Sequence, residues 1–101
     1  MDRNKAIELS KIYSQEVRNI YNPYKIILYG SYIRNEQTKD SDIDIAIIIN
    51  SDNNVFDLMV ELMMLTQNID LRIEPHPIKA KDFEEGNPFV QEIIDTGIKV
   101  A

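Results

Sequence analysis

Between Leu28 and Asp44 the chain reads Leu-Tyr-Gly-Ser-Tyr-Ile-Arg-Asn-Glu-Gln-Thr-Lys-Asp-Ser-Asp-Ile-Asp. Gly30-Ser31 closes one apolar run, Arg34 follows three residues after Ser31, and Ser41-Asp42-Ile43-Asp44 opens a second apolar run. Gly30 permits a tight turn where a side chain would meet a bound group. Ser31 then starts a short helix whose first amides and dipole favour an anion. Two residues apart in a strand, Asp42 and Asp44 project to one face at roughly 7 Å along the chain. Like charges that close repel, by about 1 kcal/mol in water and about 4 at an effective dielectric of 20 for a ~4 Å separation. A divalent cation between them reverses that sign. A phosphate cradle beside a carboxylate pair is the minimum equipment for phosphoryl or nucleotidyl transfer.

Each residue has a plainer role to set against this one. A lone Asp-x-Asp usually closes a turn at a solvated strand end, and a lone Gly-Ser is usually a strand-to-helix turn with a serine cap. Their coupling at this spacing favours chemistry. Arg34 reaches either a phosphate or a surface carboxylate such as Glu36 or Asp40. Oxygen ligands without a cysteine or histidine partner point to Mg²⁺, with Mn²⁺ as the other choice, rather than zinc. In-line displacement with two metals calls for a third carboxylate and a base. Asp70 is the first choice and Glu74 the second; both could instead form a solvated charge ladder with Arg72. His76, between two prolines, reads as a loop-packing residue. Tyr24, Tyr29 and Tyr32 lie near the presumed cleft, where Tyr24 and Tyr29 suit core packing better than stacking on a base.

These residues need elements to hold them. Asp2 can cap a helix over 3–21 carrying Ala6, Leu9, Tyr13, Val17 and Ile20 at steps of three or four. Asn22-Pro23 breaks it. Residues 25–29 are β-branched and apolar and read as a strand ending at Gly30, with a short helix from Ser31 to about Gln37. Residues 42–49 form a strand alternating at first and apolar on both faces later, as a central strand opening into a site would. A helix over 55–66 is apolar round most of its circumference, with Met59 and Met63 read as core. Residues 69–74 alternate strictly, with Ile69, Leu71 and Ile73 on one face, and Pro75-His76-Pro77 reads as the end of that strand. Asn87-Pro88 starts a last helix, with Phe89, Val90, Ile93 and Ile94 inward, and Gly97 ends it. Residues 98–101 could add an edge strand. One mixed sheet with helices mainly on one face, in an α/β (α+β) fold, follows.

Length and charge agree with that plan. At 101 residues, 44% hydrophobic and 28% charged, the expectation is a single domain over 1–101. The net charge of −6, with 11 dispersed basic residues, argues against a direct grip on nucleic acid, which needs many phosphates neutralised. There is no cysteine, and no apolar run suits a bilayer or a leader. A cytoplasmic setting is expected.

Gly30-Ser31-x-x-Arg34 followed by Ser41-Asp42-x-Asp44 resembles the signature of the minimal nucleotidyltransferases, in the DNA polymerase β-like superfamily. The likeness extends to Ile69-Asp70-Leu71 and to the closing helix and turn from Ile93 to Ile98. It implies a polymerase β-like core, ATP as donor, and Mg²⁺, two ions, held by Asp42, Asp44 and a third carboxylate. It also implies a partner: a small helical HEPN toxin, silenced by AMPylation of a tyrosine, with this chain as antitoxin. Asn35 departs from the pattern, since the family usually has glycine after the motif arginine. On this reading Asp70, or Glu74, completes the metal site and helps deprotonate the acceptor, while Gly30, Ser31 and Arg34 bind the nucleotide. The alternative is a non-catalytic antitoxin that neutralises its partner by contact; an RNA-end transferase is disfavoured by the acidic surface.

Overall fold

Asp2 opens the first helix by accepting the Lys5 amide on its side chain at 2.8 Å, which satisfies one of the donors a helix start leaves unpaired. In the computed structural model, which describes residues 1–101, this helix, α1, runs Arg3–Ile20. It buries Ala6, Leu9, Ser10, Tyr13, Ser14 and Val17 along one stripe. The expected apolar spacing holds through Val17, whereas Ile20 is left exposed. Ser10 and Ser14 donate back to the carbonyls of Ala6 and Ser10, each at 2.7 Å, so their buried hydroxyls are satisfied. Tyr13 donates to the Leu62 carbonyl at 2.8 Å, tying α1 to the helix across from it, and burial pushes its hydroxyl pKa up. Tyr13→Phe should therefore cost about 1–2 kcal/mol of stability, read from urea denaturation. An unchanged midpoint would mean that the bond contributes nothing net.

The remaining elements follow the apolar runs. β1 is Lys25–Tyr29, α2 Ser31–Arg34, β2 Ile43–Ile49 and α3 Val55–Met64, followed by a 3₁₀ turn over Leu65–Asn68. β3 is Ile73–Lys79, with a second 3₁₀ turn at Ala80–Asp82; α4 is Pro88–Thr96 and β4 Ile98–Lys99. The sheet order is β3-β2-β1-β4. β1 runs antiparallel to both β2 and β4, while β2 and β3 are parallel. A parallel pair needs a crossover, and α3 supplies it. The expected mixed sheet is found.

Period-two alternation sorts β2 between two cores. Ile43, Ile45, Ile47 and Ile49 join Ile26, Leu28 and the buried residues of α1 and α3. On the opposite face Ala46 and Ile48 pack with Ile27, Tyr29 and Ile93 of α4. Three helices cover one face, and α4 alone covers the other. Asp44 falls on the α4 face, at the end of β2 that α4 leaves open.

Five local expectations are corrected. The third strand is 73–79, not 69–74. Residues 69–72 are a turn in which Asp70 N–H donates to the Thr66 carbonyl and Ile73 N–H to the Asp70 carbonyl, each within 3.2 Å. Leu71 is 78% exposed there, so its alternation with Ile69 and Ile73 was a coincidence of turn geometry. Pro75 and Pro77 lie inside the strand, opposite Ile45 and Ile47. β3 is an edge strand. Ile43 N–H donates to the Arg72 carbonyl, and the parallel register then leaves the nitrogens of residues 75 and 77 on the outer edge, where proline loses nothing. α2 stops at Arg34 rather than Gln37. α3 buries Leu58 and Leu62 but exposes Phe56, Met63 and Met64, and Phe89 and Ile94 of α4 are likewise left exposed.

Candidate active site

The ladder itself assembles the acids. Tyr29 of β1 stands opposite Asp44 of β2, and Asp44 stands opposite Glu74 of β3. Because facing residues share a side of the sheet, these three side chains form one row on the α4 face. Asp42, just before β2, lies within hydrogen-bond reach of the Glu74 carboxyl. That shared bond with Asp42, aided by burial, holds the Glu74 pKa above the usual glutamate value, against the opposing pull of His76. Tyr29 responds to the same field: burial first, then Asp44, Glu74 and Glu92, push its hydroxyl pKa upward. No lysine or arginine forms an ion pair with Asp44 or Glu74; their one ion-pairing neighbour is His76.

Gly30 closes the row from the other side. It has φ +87° and ψ −153°, a backbone region that only glycine visits freely. A Cβ there would collide with the Asp44 carboxylate. The glycine is thus required twice, by its conformation and by its contact with the acid. Ser31 begins α2 directly after it, so the first amides of that turn, which no helix satisfies internally, come beside the carboxylates. Asn35 ends α2 with φ +58°. Asparagine tolerates the left-handed region better than other side chains, which explains how the chain keeps this turn without a glycine. Arg34 Nη1 bonds Glu92 of α4, and its Nε bonds Glu36 at 3.1 Å. Both alternatives weighed for Arg34 remain open to it, because Asp44 also lies within its electrostatic reach.

Asp70, the first choice for a third carboxylate, stands in the turn before β3. Arg72 engages it through the backbone amide and the guanidinium, at 2.9 and 2.6 Å. The Arg72 side chain holds its pKa below the ordinary aspartate value of 3.8. A carboxylate with a lowered folded pKa contributes stability above its unfolded value, and loses it as pH falls through the folded one. Asp70→Asn should cost about 0.5–1 kcal/mol at pH 7, discounted for the exposed Arg72, and progressively less as pH falls through the lowered folded pKa. Urea denaturation at pH 7 and in acid checks this, and an equal loss at both would contradict it. Glu74, the second choice, is the acid that the ladder brings to Asp44.

His76 was not anticipated in this place. Its Nε2 lies 3.5 Å from Asp44 Oδ1 and 3.7 Å from Glu74 Oε1. Asp44, Glu74 and His76 each bring a donor atom within 4.8 Å of the other two. The signal lay in the alternation Glu74-x-His76, hidden because the flanking prolines read as a strand stop.

Asp44 and Glu74 with His76 between them, donor atoms within 4.8 Å of one another, Asp42 in reach of Glu74 and no lysine or arginine paired to the inner two, fit a divalent cation. The donors suit one: oxygens predominate and open to solvent at Asp42. A mixed sheet with a glycine turn set against an acidic row defines a phosphate-transferring domain of the nucleotidyltransferase class. The chain belongs to the family described as polymerase beta, nucleotidyltransferase, which matches residues 8–101. Two relatives from Methanocaldococcus jannaschii are named as candidate protein adenylyltransferases. One is 32% identical over 89 residues, 87% of this chain and 86% of the relative. The other is 33% identical over 72 residues, 60% and 74% respectively. Among solved structures, a candidate nucleotidyltransferase from Sulfolobus solfataricus superposes with TM-score 0.69 at 20% identity, over 96% of this chain and 80% of that one. A toxin–antitoxin structure with AMP-PNP gives 0.60 at 23% identity, over 100% and 73%. These last two likenesses speak for the fold.

Proposed function

We propose that this chain moves AMP from ATP to a hydroxyl, a tyrosine, of a helical HEPN-type partner, and thereby acts as the antitoxin of a toxin–antitoxin pair in the cytoplasm. The observation that carries the chemistry is the row Asp44–Glu74 against Gly30, with Asp42 in reach and His76, rather than a lysine or arginine, as the neighbour of the inner pair. The protein acceptor is supported by the names of the two archaeal relatives, and the pairing with a toxin by the toxin–antitoxin assemblies that share the fold. No helix is long and apolar enough to cross a membrane.

Asp42, Asp44 and Glu74 would hold a divalent cation, Mg²⁺ or Mn²⁺, which would supply charge neutralisation for the triphosphate. Gly30 and Ser31 offer amides to the distal phosphates, and Arg34 reaches them when it leaves Glu92. The acceptor oxygen attacks the α-phosphorus, the bond to the β-phosphate oxygen breaks, and pyrophosphate departs with its electron pair. Glu74, placed beside Asp44 by the ladder, takes the acceptor's proton, a task the sequence assigns to Asp70 or Glu74. Asp70 instead pins the start of β3 through Arg72 and so fixes where Glu74 stands. Catalysis rests on positioning and charge, with no covalent intermediate on the protein.

A hollow of 260 Å³ opens at the edge strand, lined by Asp42, Glu74 and His76 together with Met59, Met63 and Leu71. It falls below the roughly 300–1,000 Å³ of ordinary small-ligand sites. An entering side chain suits it better than a whole nucleotide does. One observation favours the contact-only alternative: Phe56, Val60, Met63, Met64 and Leu71 are exposed along α3 and the turn before β3, and such a patch suits a protein partner. Incubation with α-labelled ATP, divalent metal and a helical HEPN-type partner protein separates the two. Label on a partner tyrosine is expected. Neutralisation of the partner without label would establish the contact-only reading, and label on RNA would overturn both.

A further inference from the structure

We propose that His76 is a metal ligand, and that its nitrogen turns this site from Mg²⁺ toward Mn²⁺. The inference rests on the metal-dependent reading above and deepens it. Glu74 and His76 are alternate residues of β3, so both side chains reach the α4 face beside Asp44. Nε2 is the atom nearest both acids, 3.5 Å from Asp44 Oδ1 and 3.7 Å from Glu74 Oε1. Ligands at about 2.1 Å from one ion stand roughly 3.0–3.4 Å apart when adjacent. The two distances to Nε2 need only a few tenths of an ångström of contraction, and all three donor atoms already lie within 4.8 Å of one another.

The ring is also held in place. Tyr29 packs on it at 5.8 Å between centroids and 59°, and Phe89 at 6.5 Å and 71°, while Tyr29 and Phe89 meet edge to face at 5.8 Å. Neither aromatic competes with Nε2 for a metal. The clamp accounts for Phe89 lying half out of the core, where it stands steeply tilted to both His76 and Tyr29. A surface histidine drawn loosely to carboxylates has no need of two aromatic walls. An imidazole aimed at a shared ion does, because the orientation of a ligating ring governs its affinity.

The choice of metal follows from donor chemistry. Mg²⁺ keeps its waters, and takes oxygen ligands in preference to nitrogen. An imidazole nitrogen suits first-row transition ions better than Mg²⁺, and Mn²⁺, the weakest binder of that series, is the one that shares with Mg²⁺ a preference for carboxylate oxygen, so it is the ion that matches this mixed donor set. Asp42, Asp44 and Glu74 alone would serve either ion, so the histidine is the part of the site that discriminates.

The test measures binding on the intact chain without substrate turnover. Mn²⁺ is titrated by electron paramagnetic resonance, with Mg²⁺ as competitor, for wild type, His76→Gln and Asp44→Asn, each first shown folded by circular dichroism. Wild type is expected to favour Mn²⁺ by about tenfold or more, and to show nitrogen modulation in the electron spin echo. His76→Gln should lose the modulation and about tenfold in Mn²⁺ affinity, while Mg²⁺ binding changes less than about twofold. His76→Ala should behave as the glutamine variant does, which excludes an effect of the amide. Binding that Asp44→Asn abolishes, but that lacks nitrogen coupling and ignores His76→Gln, overturns this inference and leaves the metal reading standing. No bound divalent ion in wild type, with or without ATP, overturns both.

Discussion

Asp44→Asn is expected to end nucleotide transfer, on the order of a thousandfold or more, while the protein stays as stable as before. The two effects come from one fact. Asp44 sits in register between Tyr29 and Glu74, with Gly30 against its carboxylate, so it is the centre of the acidic row and faces the like charge of Glu74. Removing its charge takes away a ligand. It also relieves a like-charge contact worth about 1 kcal/mol near water, which offsets the loss of its interaction with His76. Activity measured by label transfer, and stability by urea denaturation, should therefore separate cleanly. Loss of both together would mark Asp44 as structural. Activity near wild type would remove it from the metal site.

Gly30→Ala is expected to fail differently. Its φ of +87° and ψ of −153° lie where only glycine is unstrained, at a cost of about 1–3 kcal/mol for another residue. The new methyl group would also overlap Asp44 Oδ2, with Asp44 Cβ at 3.3 Å, so either the turn or the acid must move. A loss of about 2–4 kcal/mol in stability is expected, together with loss of transfer even at temperatures where the variant remains folded. Assaying well below its melting point isolates the second effect. A stable, active Gly30→Ala would show that the close approach to Asp44 is not needed.

Most of the architecture was legible because it rests on local signals. Asp2, Asn54 and Asn87 cap helices where their types suggest, and the runs at 25–29 and 43–49 are too β-branched and apolar to read otherwise. The Gly30-Ser31 and Asp42–Asp44 pairs were visible for the same reason. What could not be read from local sequence was the third strand. Alternation at 69–74 and a proline pair at 75 and 77 each pointed the wrong way, because strand limits here are set by pairing with β2. Only the sheet order shows that the proline nitrogens face outward from an edge. Once β3 moves to 73–79, Glu74 comes opposite Asp44, and His76 ceases to be a loop residue. The methionines of α3 show the opposite limit. Spacing marks them as apolar, but whether that face meets a core or a partner depends on what else lies there.

The most direct measurement is the anomalous diffraction of crystals grown with AMP-PNP and Mn²⁺. The site described here predicts a peak within about 2.5 Å of carboxylate oxygens from both Asp44 and Glu74, with the triphosphate running toward the Gly30-Ser31 turn. Nucleotide density elsewhere, or an ion held apart from that pair, would contradict it.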